Sequence, residues 1–155
     1  MSLAEEMRRI QNISLNKPKP DLCERAIQYN YTDLVRHLRD IAQKGKSSFA
    51  YPFGERVHTG CYKENGDTIN YGPLFTEEVK PGFINYYVTV KLTDLGKRFF
   101  SGLKTKLEHD GFRIAISPCF FESCVGPKQK FNFNEKVKKN LELCVHIAIL
   151  VEISF

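Results

Sequence analysis

Over residues 141–155, Leu141, Leu143, Val145, Ile147, Ile149, Val151, Ile153 and Phe155 occupy every second position. A period of two belongs to a β-strand, whose successive side chains point to opposite faces. The pattern predicts a long C-terminal strand with one fully apolar face. Glu142, Cys144, His146, Ala148, Leu150, Glu152 and Ser154 share the other face. So apolar a face has to be buried against a second layer. A strand that continues to the last residue is also expected at a sheet edge, free to pair with a neighbouring chain.

Two helical patterns supply that second layer. Asp21 is placed to cap a helix running to about Lys44, with Leu22, Ala26, Tyr29, Leu34, Leu38, Ile41 and Ala42 as its inner stripe and Gly45 as its stop. Thr93 caps a second helix, along which Leu92, Leu95, Phe99, Leu103 and Leu107 recur at steps of three and four. Gly96 and Gly102 lower its intrinsic helicity, which points to close packing against the sheet. Residues 2–11, with Leu3, Met7 and Ile10 on one face, predict a short helix capped by Ser2. The stretch 12–20, with Pro18 and Pro20, is expected to end it and act as a linker. The chain thus divides into an arm and linker, 1–20, and a single domain, 21–155.

Further strands follow from alternation and from breakers. Residues 47–51 read as a strand closed by Pro52, 84–90 as a second, and 112–116 as a third ended by Pro118. Within a long excursion over 53–82, Asn65-Gly66 is a hairpin signal, because both positions tolerate positive φ. Residues 119–130 read as a loop. The expected fold is α+β: a largely antiparallel sheet, two long amphipathic helices on one face, a protruding β-hairpin and a short N-terminal helical arm.

Composition narrows the setting. A chain of 155 residues with 42% hydrophobic content is large enough for one self-sufficient core. Its five cysteines are an odd number in a chain that needs no staples, so free thiols in a reducing compartment, the cytoplasm first, are expected. No apolar run approaches the roughly 20 residues of a membrane span, so no membrane is expected among its partners.

Few constellations carry chemistry. Cys119, Cys124, Cys144 and His146 are the candidate metal set, since three thiolates and an imidazole make a zinc shell. Their spacing matches no standard zinc motif, and packing thiols are the preferred reading. Pairings of Cys61 with His58 or of Cys144 with His146 would be needed for a nucleophilic thiol, and neither is aimed well on a strand. The GKSS at 45–48 follows a helix and precedes a strand, the reverse of a phosphate-binding loop. Asp33, Asp40, Asp94, Glu108, Asp110 and Glu152 are scattered as caps and solvating charges. No cofactor is expected.

Net charge is +5. Lys128, Lys130, Lys136, Lys138 and Lys139 interleave with Phe131 and Phe133, a composition that suits single-stranded nucleic acid. Arg25, Arg36, Arg39, Lys44 and Lys46 form a second basic group, and Lys97, Arg98, Lys104 and Lys106 a third. The first functional expectation is a non-enzymatic binding or assembly module, with a protein partner or self-association. The alternatives are a nucleic-acid-binding protein using 128–139, then a small Cys/His-dependent enzyme. Scarce alanine beside abundant Lys, Asn, Ile and Phe points to an AT-rich coding genome, as in an accessory protein of a virus or phage.

Overall fold

A computed structural model describes residues 2–16, 21–53, 59–122, 125–139 and 145–155, with the backbone alone at 59–62, 139 and 145. The arm is helix α1, Leu3–Leu15. Ser2 Oγ accepts from the Glu5 amide at 3.2 Å, and the Glu5 carboxylate accepts from the Ser2 amide at 3.4 Å, a reciprocal capping box. The helix runs four residues beyond the expected end at residue 11. Asn12, Ile13, Ser14 and Leu15 all keep their amide donors, and a proline restricts chiefly the residue just before it.

Helix α2 is Leu22–Gln43, capped by Asp21 Oδ1, which accepts from the amides of Cys23 (3.1 Å) and Glu24 (3.2 Å). Gly45 stops it at φ 75°, a left-handed position that glycine takes without a Cβ penalty. Its buried residues are Cys23, Ala26, Ile27, Leu34 and Leu38, while Leu22 and Tyr29 lie exposed. The N-terminal half of the stripe is therefore turned from the expected one. The reason is helix α3, Asp94–His109, which packs against that half of α2. Arg98 of α3 pairs with the capping carboxylate of Asp21, and Tyr31 of α2 donates to Asp110. The Arg98 guanidinium holds the Asp21 carboxyl below its ordinary range, helped by the cap amides.

Under the helices lies a four-stranded antiparallel sheet. Its strands are β1 (Ser48–Phe53), β6 (Arg113–Glu122), β7 (Gly126–Lys130) and β9 (Val145–Ser154), in the order β1-β9-β6-β7. The expected edge position of the C-terminal strand is overturned. β9 is central, with Val151 between Tyr51 and Ile116 and Ile149 between Phe53 and Pro118. Over 149–154 both backbone edges of β9 are used within the chain, so that stretch offers none to a neighbour. Its inner face, Ile147, Ile149, Val151 and Ile153, is buried in the main core, as the alternation requires. Phe53 meets Phe99 and Phe100 of α3 edge-on at 5.8 and 5.6 Å, and His37 of α2 stacks on Phe49 at 5.6 Å.

Pro118 does not end its strand either. In an antiparallel ladder a residue's N–H and C=O serve the same neighbour. The Pro118 carbonyl accepts from Phe131, the first residue past β7, at 3.0 Å. The missing donor therefore faces the end of β7, and the ladder with β9 loses nothing.

The remaining strands form two small sheets. β2 (Thr59–Glu64) and β3 (Asp67–Pro73) make the expected hairpin, with Asn65 at φ 51° and Gly66 at φ 85°. It is seated against the helices through Tyr71, stacked on Phe99 at 5.6 Å, and through Glu64, paired with Arg25 at 2.7 Å. β4 (Phe75–Pro81), β5 (Tyr86–Leu92) and β8 (Val137–Lys139) form an antiparallel three-stranded sheet with β5 in the middle. Phe75, Val88, Val90 and Val137 carry it into the same core. Strands β4, β7 and β8 lie where the sequence reads as loop or basic segment. Glu77 and Glu78 interrupt the apolar alternation of β4, and β7 and β8 are short and rich in lysine.

Candidate binding surfaces

Of the Cys/His group, Cys119 and His146 are among the described residues, both on the outer face of the large sheet. Cys119 is fully buried beside Ala148 and Leu150, with Phe121 packed on them. Burial pushes its thiol up to about 11, the neighbouring Glu152 carboxylate adds to this, and Lys130 opposes it. A thiol this reluctant to ionise is a packing group and a poor nucleophile. His146 lies opposite Phe121 in the ladder and is exposed. Cys124, Cys144 and His58 lie outside the described residues, as does the side chain of Cys61. Among the described residues no group of three or more His, Cys, Asp or Glu is placed to hold a metal ion.

Four of the carboxylates singled out in the sequence each face a different cation. Asp33 pairs with Arg36, Asp40 with Lys44 at 3.1 Å, Glu108 with Lys104 at 3.7 Å and Glu152 with Lys130 at 2.8 Å. These pairs also take up members of the second and third basic groups. Between α2 and the β2–β3 hairpin lies a groove of about 480 Å³ lined by Arg25, Gln28, Tyr29, Thr32, Arg36 and Lys63 among others. Its two arginines already face Glu64 and Asp33.

The basic segment 128–139 is divided between two sheets. Lys128 and Lys130 stand on β7 and pair with Glu122 (3.0 Å) and Glu152 (2.8 Å). Phe131 is only 6% exposed and packs on Phe120 with centroids 5.0 Å apart, so its ring is core and unavailable to a base. Phe133 is half-buried against the same core. Lys136 sits over the Tyr87 ring at 4.6 Å, Lys138 lies opposite Tyr87 in the ladder and Lys139 opposite Tyr86. Lys136 and Lys138 are thus brought onto the small sheet and separated from the first half of the segment.

Two further surfaces stand out, the arm that the sequence outlines and a hairpin tip that it does not single out. Helix α1 buries no residue: Leu3, Met7, Ile10, Ile13 and Leu15 are 54–74% exposed. The second is the tip of the β4–β5 hairpin. Pro81 and Tyr86 form its last pair, and the Gly82 amide donates to the Asn85 carbonyl at 2.6 Å. A Cβ on Gly82 would lie 2.6 Å from that carbonyl and 2.7 Å from the Tyr87 ring, so only glycine closes the turn this tightly. The turn directs its next two side chains outward, leaving Phe83 103% and Ile84 78% exposed. The available signal was two adjacent apolar residues held between turn formers, Pro81-Gly82 and Asn85. Comparison with protein-family models, with curated proteins and with solved structures finds no match for this chain.

Proposed function

We propose that this chain is a non-enzymatic binding or assembly module, and that α1 is the element it offers to a protein partner or to a second copy. The observation that carries this reading is the uncovered apolar stripe of α1. A helix of 13 residues is marginal in water on its own. Its stability comes from burying the apolar face, at about 1.5–3 kcal/mol for each fully buried large side chain. On α1 that gain is still to be made. The engaged carboxylates and the buried, poorly acidic Cys119 add no support for a catalytic role.

The test compares the full chain with a version lacking residues 1–16, by molar mass in solution and by hydrogen exchange. The expected result is an assembly above 17.9 kDa, or a complex with a partner, that disappears on deletion while the melting temperature holds. Amides of α1 should exchange quickly in the dilute free protein and slow on association. Strong protection of α1 in a dilute monomer would mean that the arm packs on its own body, which overturns the reading.

A further inference from the structure

We infer that the outer face of the β4–β5–β8 sheet, together with the hairpin tip that ends it, binds single-stranded nucleic acid. This surface is separate from α1 and does not depend on the assembly reading. Ladder register puts Lys80, Tyr87 and Lys138 side by side across the three strands, hence on one face. Lys136 adds its ammonium over the Tyr87 ring at 4.6 Å. Three cations therefore surround one aromatic ring. Glu78 pairs with Lys80 at 3.3 Å, with both side chains more than half exposed. An ion pair so exposed is weak and readily exchanged for a phosphate.

The tip completes the surface. Phe83 leaves both ring faces open to solvent, the condition for stacking on an unpaired base. Ile84 beside it offers an apolar edge to the same base. Duplex DNA presents no free base face, so the pairing of an open ring with a lysine row selects a single strand. The lysines follow the sheet face that carries Tyr87. Of the sequence-predicted segment this surface keeps Lys136 and Lys138, and it replaces the buried Phe131 by Phe83 and Tyr87.

The experiment titrates the full chain into labelled 15-nucleotide oligo-dT and oligo-U, the matching duplex, and phosphatidylserine-containing vesicles, over a series of salt concentrations. The expected result is single-strand binding that weakens steeply with salt. Phe83→Ala should bind about 5- to 150-fold more weakly, the effect of removing one stacked base, with the salt slope unchanged. Lys80→Gln with Lys138→Gln should make the log–log slope shallower by about 0.7 for each phosphate no longer neutralised. Phe83 is wholly exposed, so its variant keeps native melting and decides the matter even if the lysine variant misfolds. No oligonucleotide binding at low salt, equal binding of duplex, or wild-type affinity of Phe83→Ala would each overturn the inference. Binding to vesicles without binding to oligonucleotides would assign the tip to lipid and overturn it as well.

Discussion

The first turn of α3 is seated on the backbone of Leu74, so close that a Cβ on Gly96 would overlap the Leu74 carbonyl oxygen. The same carbonyl accepts from the Thr93 amide at 3.0 Å. Thr93 Oγ donates to the Pro73 carbonyl at 2.6 Å and accepts from the Gly96 amide at 2.9 Å. The cap of α3 and the bend between β3 and β4 therefore hold each other. Gly96→Ala would raise helix propensity by about 1 kcal/mol in an open helix. Here it should destabilise by more than the ~1–3 kcal/mol usual for overpacking, because backbone has to move. Urea unfolding checks this, and a stability gain would mean that the helix does not rest on Leu74.

Gly102 makes the milder version of the same contact. A Cβ there meets Ile27 Cδ1 at 2.6 Å, the end of a side chain that can shift. Gly102→Ala alone should cost roughly 1–3 kcal/mol. Combined with Ile27→Val, which removes the terminal methyl, it should cost less than the sum of the two single changes. A double-mutant cycle of equilibrium unfolding measures that coupling.

Cys119 gives a pH prediction with a definite sign. Its folded thiol titrates near 11 against an ordinary value of 9.0. Between those values the unfolded chain has released the proton and the folded chain has not. Stability is therefore complete below about pH 9 and falls above it, by up to about 1.4 kcal/mol per pH unit from this group. Cys119→Ala should flatten that part of the stability–pH curve. The native thiol should also resist alkylation at pH 8, while the unfolded one reacts.

Phe131→Ala separates core from surface. With the ring against Phe120, truncation should lower stability by about 3–5 kcal/mol. The contrasting outcome, native melting with weaker nucleic-acid binding, would return Phe131 to the surface.

Central placement makes β9 intolerant of charge. Ile149 is fully buried between Phe53 and Pro118, so Ile149→Asp should leave the protein unfolded or insoluble. Removing Ser154 and Phe155 deletes the Phe155 amide bond to Ser47 (3.1 Å) and the edge-on packing with Phe112 at 5.9 Å. The truncated chain should melt lower yet keep its molar mass, since the C-terminal end of β9 is paired on both sides. Dissociation of an assembly by this truncation would contradict the strand order.

What the sequence determined by itself is what local physics decides. Ser2, Asp21 and Thr93 cap helices because each cap bonds to amides only two or three residues on. Asn65-Gly66 turns because those two residues accept positive φ, and the period of β9 places Ile147, Ile149, Val151 and Ile153 on one buried face. The binding surfaces were less legible, because exposure is a property of what else arrives. Phe131 and Phe83 are the same residue type in polar stretches, yet Phe120 covers one and a tight glycine turn leaves the other bare. Strand order was legible least. Side-chain alternation is perpendicular to backbone pairing, so a period of two reads alike at the edge of a sheet and at its centre. Only the arrival of β1 on one side and β6 on the other, from about 100 and 30 residues away in the chain, made β9 the middle strand.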